Sequence, residues 1–397
     1  MTTRLVTLRT VAFAVFALAA TLYAVTSIEY FAGYEGKEQT LWDRVFSGPT
    51  SERFATGPGS VRAEMHEVYS ANRIALQLHA TTGAIMLVTG IFQFWTPLRR
   101  ARPRLHRLLG RLYVALAIPT SGGALVYLAS VPPDEVFSGQ VFTVALFGLA
   151  VATALSTYMA YRTARHRQFE AHRAWMLQSY FYILSAPLLR LVWVGVYQVD
   201  DGLDQWDNNL YAVALTTALI AFAPLVFFGF SARGGTSPEP ARRADLPSLV
   251  PTWLRTPTVR TAAIAIAGVA AGAGVLLPVD TPYGPALPSS ALTAGLMLAF
   301  AVAMRWHHDR HHRSTLTEAW DLMVVALLAA PVTTAVAALA ILAIGWPLAS
   351  AVPGGALAAF FVNPLVAYGV FIHQRLGSRP ASVNRDRPTE TAAMAGS

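Results

Sequence analysis

Residues 78–114 read LHATTGAIMLVTGIFQFWTPLRRARPRLHRLLGRLYV. Two apolar segments meet there at a gap holding Arg99, Arg100, Arg102 and Arg104 and no acid. An apolar run of about 20 residues is what a helix needs to cross the hydrocarbon layer. An arginine-rich gap between two such runs marks the cytoplasmic side. The same pattern repeats outward along the chain and predicts an all-α, polytopic integral membrane bundle. Spans fall near 10–28, 74–96, 106–130, 141–161, 172–197, 210–230, 259–277, 288–304, 320–345 and 355–373.

The composition agrees. Of 397 residues, 54% are hydrophobic and only 13% charged, which is too apolar for an ordinary soluble protein. The net charge of +8 could suggest a nucleic-acid partner. The arginines instead cluster in alternate gaps, which is the signature of membrane topology and excludes that class. There is no cysteine, so disulfides, iron–sulfur clusters, thiol catalysis and covalently attached haem are excluded too. Arg4 and Arg9 precede an apolar run at 10–28 that is long for a signal peptide, so a first transmembrane helix is the favoured reading and cleavage the alternative.

The gap 162–171 carries Arg162, Arg165 and Arg167 against Glu170 alone, on the same side as 97–105. The intervening gaps are acidic, with Asp134 and Glu135, then Asp200, Asp201, Asp204 and Asp207. The alternation continues to the end and predicts both termini to be cytoplasmic, in a multi-pass protein of the plasma (inner) membrane. It divides the chain into a six-span core over 1–230, a cytoplasmic linker over 231–258, four further helices over 259–373, and a disordered tail over 374–397. Residues 29–73, with Tyr30, Phe31, Tyr34, Trp42 and Phe46, read as a small, partly helical outer cap. In the last group Gly268 and Gly272 have the spacing of close helix packing.

Several separated motifs carry a resemblance. His79 is followed by Gly83, Gly90 and Gln93; then come His106-Arg107 with Gly110 and Tyr113; then His172-Arg173 with Trp175-Met176 and Arg190. Over about residues 74–200 the chain resembles the predicted membrane proteins catalogued as domain of unknown function 2306. The resemblance implies a helical membrane core and leaves activity open.

Polar groups inside a membrane are costly and usually face a partner, a cavity or a ligand. His79, Gly83, Met86, Gly90 and Gln93 recur at spacings of three and four and share one helix face. His172 and Arg190 lie 18 residues apart in one predicted span, which on a continuous helix is five turns and about 27 Å. Gln93, His106 and His172 thus fall at the inner end, His79 and Arg190 toward the outer one.

One reading is a single b-type haem with His106 and His172 as axial ligands. Gly90 and Gly110 would leave room for the ring, and Arg107 or Arg173 would pair with its propionates. This partly resembles the b561-type dihaem cytochromes, which need two histidine pairs. The span 141–161 has no histidine, so at most one haem and a membrane redox role follow. A second reading is a transporter or solute-binding protein whose outer cavity is lined by His79 and Arg190. A third is a structural or assembly protein in which the histidines are interfacial or helix-packing groups.

His307 with His311, and His308 with His312, form i, i+4 pairs able to chelate a divalent metal if helical. The sequence has no glycine-rich phosphate loop, no HExxH and no nucleophile elbow, so neither a hydrolase nor a transferase is indicated. A membrane oxidoreductase component remains open. The bilayer is the expected partner, together with a redox protein or a small solute.

Overall fold

A computed structural model describes residues 2–32, 39–233, 250–251, 256–277, 284–311 and 314–376. Among them there is helix and no strand. Helix α1 (Thr2–Ala32) leads into four short helices, α2 (Leu41–Ser47), α3 (Glu52–Thr56), α4 (Val61–Glu64) and α5 (His66–Ala71). Then follow α6 (Arg73–Phe94), α7 (Thr96–Ala101), α8 (Pro103–Ser130), α9 (Gly139–Arg165), α10 (Phe169–Ile183), α11 (Ser185–Val199) and α12 (Gln205–Arg233). The chain closes with α13 (Pro257–Leu276), α14 (Ala286–Arg310), α15 (Ser314–Leu328), α16 (Ala330–Ala343) and α17 (Leu348–Phe371), the last running into a π-helical turn, Ile372–Leu376.

Among the described residues, eight helices are long and apolar enough to cross a membrane: α1, α6, α8, α9, α12, α13, α14 and α17. The pairs α10–α11 and α15–α16 are bent by 49° and 46°, and counting each pair as one span gives ten. The prolines account for both breaks. Pro187 and Pro331 have no N–H to offer the carbonyl four residues back, so each span stops and restarts there. The Ser185 hydroxyl donates to the Tyr182 carbonyl (2.6 Å) at the first break. At the second, Asn363 of α17 bridges the gap. Its amide donates to the Ala326 carbonyl (2.9 Å) and its oxygen accepts from the Thr333 hydroxyl (3.0 Å). The first bend also corrects the single-face geometry read for His172 and Arg190, because the helix between them is not continuous.

Helices α1 and α13 turn Leu18, Leu22, Val25, Ile264, Val269 and Val275 outward. Such surfaces suit lipid, where apolar side chains gain little by turning inward. Helix α17 is the opposite case. It packs against α9, α12, α14, α15 and α16, so the last helix contacts both the early and the late helices. The glycine expectation for α13 needs correcting. A side chain at Gly268 or Gly272 would meet nothing within 4 Å. Gly274 and Gly295 make the close approach instead, with backbone atoms of Leu292 and Ala271 2.3 and 2.4 Å from where their Cβ atoms would stand. Small-residue spacing alone did not say which face of α13 meets α14.

The two ends of the bundle differ. One carries the arginines at the starts of α8 and α10 and the ends of α9 and α14. The other carries the cap. Cap helices α2, α3 and α4 each begin at a hydroxyl residue whose side chain accepts a backbone N–H, namely Thr40 (with a capping box from Asp43), Ser51 and Ser60. Gln205, at the start of α12, anchors them by accepting from Val61 N (3.0 Å) and donating to the Phe54 and Ala55 carbonyls. Gly59 adopts a positive φ of 79°, and a Cβ there would stand 2.8 Å from Asp204. The aromatic floor joins Phe46, Phe54 and Trp193, so the cap is packed onto the bundle end. The linker residues 234–249, His312 and the tail beyond Leu376 lie outside the described residues.

Candidate functional site

At the arginine end, α6, α8 and α10 bring together three of the residues singled out above. His172 Nδ1 lies 2.8 Å from the Ala160 carbonyl. A carbonyl can only accept, so Nδ1 carries the proton and Nε2 points away. His106 lies among the charges of Arg99, His172 and Arg107, and His172 also feels Arg99. Gln93, only 8% exposed, packs its Oε1 against Gly110, 3.1 Å from where a Cβ would be. Among the described residues neither Gln93 Nε2 nor His106 Nδ1 has a hydrogen-bond partner. Arg107 is exposed, while Arg173 lies toward Tyr368 of α17.

The glycines expected to make room for a porphyrin are covered. A Cβ on Gly90 would stand 2.3 Å from Tyr180 Cε2 and 3.1 Å from Tyr113 Cε2, so tyrosine rings fill that gap. Gln93 fills the one at Gly110. The residues present therefore do not form the slot that a haem on His106 and His172 would occupy at these glycines.

Above this level lies a layer of buried hydroxyls that the sequence reading did not pick out. Ser179, fully buried, bonds both the Tyr113 hydroxyl (3.0 Å) and the Thr157 hydroxyl (2.6 Å), tying α8, α9 and α10 together. The Tyr180 hydroxyl donates to the Leu87 carbonyl (3.1 Å). Such groups look like ordinary helix residues in sequence, and only the packing shows that they meet.

Toward the cap end, His79 and Arg190 have different partners. His79 Nδ1 lies 2.8 Å from the Thr120 carbonyl of α8. Arg190 stacks its guanidinium 3.9 Å from the Trp193 ring centre and 5.8 Å from that of Trp42, beside the Tyr23 hydroxyl. Its Nη1 is buried and has no acceptor among the described residues. The contrast with other inward arginines is informative. Arg62 faces Asp43, Arg305 faces Asp321 at 2.9 Å, and Arg375 grips Glu318 with two bonds of 2.6 Å. Arg190 faces rings and a phenol.

The three described members of the α14 histidine group diverge. The His307 and His311 rings meet at a tilt of 37° with centres 4.4 Å apart, and His311 Nδ1 contacts the His307 carbonyl (2.7 Å). His308 is buried against Gly229 of α12. Among the described residues no three His, Asp or Glu side chains are grouped to hold a metal ion. The ion pairs Arg305–Asp321 and Arg375–Glu318 also went unread in the sequence, although Glu318 and Asp321, one turn apart in an apolar stretch, were the available signal.

Comparison with known families agrees with this architecture. Residues 76–227 match the family model described as predicted membrane protein (DUF2306). The DUF2306 match takes in His79, Gln93, His106, His172 and Arg190, and it extends past the resemblance seen in the motifs to include most of α12. Tyr23 and Trp42 lie outside it, as do α13–α17. The Arg190 surround is therefore built half from the DUF2306 region and half from α1 and the cap. No curated protein and no solved structure matches the chain.

Proposed function

We propose that this multi-pass membrane protein binds a small organic anion, a carboxylate by preference, at Arg190 under the cap, in the manner of a transporter or solute receptor. The observation that carries the reading is the state of Arg190. An ionised side chain within a membrane span is expensive and is normally neutralised by a partner. Arg190 is held by cation–π stacking on Trp193, worth roughly 2 kcal/mol when desolvated. That contact leaves the charge uncancelled and Nη1 without an acceptor. A carboxylate would supply both, through the two-pronged geometry for which guanidinium is suited.

The surround favours a ligand with an apolar body. Phe46, Trp193 and Tyr30 belong to one buried cluster with Trp42 packed half-buried against it, and Trp42 and Trp193 face Arg190. Trp42 lies over Arg190 on the short helix α2, so α2 has to shift for a solute to enter. His79 belongs to a neighbouring helix contact and is a positioning residue in this reading. Counterflow of benzoate in proteoliposomes tests the proposal. Wild type exchanges labelled benzoate, and Arg190→Ala does not. Equal exchange by both proteins would overturn it.

A further inference from the structure

We infer that the arginine end of α6, α8 and α10 holds a second site, for a phosphate group, built from Gln93, Arg99, His106 and His172. This site lies at the opposite end of the bundle from Arg190 and does not rest on the reading given for it.

Unmatched hydrogen-bonding groups and uncompensated positive charge meet at this end of the bundle. Gln93 is nine-tenths buried, and its amide NH2, which can only donate, meets no acceptor. His106 Nδ1 is likewise buried without a partner. Leaving such a group unsatisfied costs about 1–3 kcal/mol. The Gln93 amide calls for an acceptor, and His106 Nδ1 donates to the same one when its ring is protonated. Their proximity follows from Gly110. Gln93 lies on the α8 surface at Gly110, and His106 is one turn earlier on the same face, about 6 Å along the axis.

The charges have the same sign throughout. The groups acting on His106 are Arg99, His172 and Arg107, and the group acting on His172 is Arg99. No carboxylate is among them, and Glu170 at the start of α10 is exposed. His106 and His172 also stand in the first turns of α8 and α10, where the aligned peptide dipoles favour an anion. His172 Nδ1 donates to Ala160 O, which orients the ring, and Nε2 donates to a ligand in the imidazolium form, which an anion beside it favours. Donors from an amide, a guanidinium and an imidazolium, with no acid among the groups named, describe an oxyanion cradle. A phosphate, with several acceptor oxygens, can take all three. The same chemistry serves a free phosphate compound or the headgroup of an anionic phospholipid at the membrane surface.

The test is thermal unfolding of the whole chain in a phosphate-free maltoside detergent, followed by tryptophan fluorescence. Three conditions are compared: sodium chloride, millimolar sodium phosphate at equal ionic strength, and added phosphatidylglycerol. Wild type is expected to melt about 2 °C higher or more in at least one phosphate arm. Arg99→Ala, at an exposed position, and Gln93→Leu are both expected to lose that shift. A response to inorganic phosphate identifies a free phosphate compound. A response to the lipid alone identifies a headgroup. No shift of wild type in either arm overturns the inference. So does an equal shift in Arg99→Ala, which would be the general salting effect of phosphate on any folded protein. If Gln93→Leu does not fold, Arg99→Ala decides the matter alone.

Discussion

Gly90→Ala is the sharpest probe of the packing beneath the site. The added methyl would stand 2.3 Å from Tyr180 Cε2 and 2.4 Å from Cδ2, against the roughly 3.5 Å at which carbon atoms rest. The ring must therefore retreat by about 1 Å. It is not free to do so, because its hydroxyl is bonded to the Leu87 carbonyl and its ring packs at a tilt against Phe94, 5.3 Å between ring centres. Overpacking costs about 1–3 kcal/mol and the lost hydrogen bond about 1 kcal/mol more, so about 2–4 kcal/mol is expected. Nine tryptophans make intrinsic fluorescence a direct melting assay, and the absence of cysteine rules out thiol-reactive dyes. The melting temperature is expected to fall by about 5 °C or more. Gly122→Ala, where the new atom meets nothing within 4 Å, is the control and should melt at or slightly above wild type. Adding Tyr180→Ala should make the Gly90→Ala cost less than additive. A Gly90→Ala protein that melts like wild type would refute the filled-gap geometry and reopen the space to a ring-shaped ligand.

Other outcomes follow from single contacts. Glu318→Gln removes the carboxylate charge that grips Arg375 inside the bundle and should cost up to about 3–5 kcal/mol, measured as a fall in melting temperature. A smaller loss than an exposed control substitution would contradict the pairing. Asn363→Leu leaves the Ala326 carbonyl without its donor at the α15–α16 bend, and a loss of about 1–3 kcal/mol should appear in the same assay. Protein purified from haem-replete cells should show no Soret band before or after dithionite. A band that His106→Ala abolishes would restore the redox reading.

Most of the architecture was legible because hydrocarbon imposes it. Apolar length and arginine-rich gaps are local properties of the sequence, and they place ten segments where the long helices and bent pairs stand. Pro187 and Pro331 announce their own bends, since a missing N–H acts locally. What was not legible depends on rotation about helix axes. Gly268 and Gly272 had the right spacing and the wrong face, whereas Gly274 and Gly295 touch backbone. The cap reads in sequence only as small and partly helical, because its helices are too short to show periodicity. Their order comes from hydroxyl caps and from Gln205, which is more than 140 residues away in the chain. The candidate site divides in the same way. His106, His172, Gln93 and Arg190 stand out as polar residues in apolar runs. Their partners (Arg99, Tyr23, Trp42 and Trp193) are set by tertiary packing alone.

The most direct measurement is a titration of the detergent-purified protein with sodium benzoate, followed by tryptophan fluorescence. Trp193 and Trp42 flank Arg190, so an anion arriving at Nη1 changes their surroundings. A saturable change is predicted in wild type, weakened at least tenfold in Arg190→Ala and reduced in amplitude in Trp42→Phe. A linear, non-saturating response, or the same curve for wild type and Arg190→Ala, would contradict the claim that Arg190 is held ready for an anion.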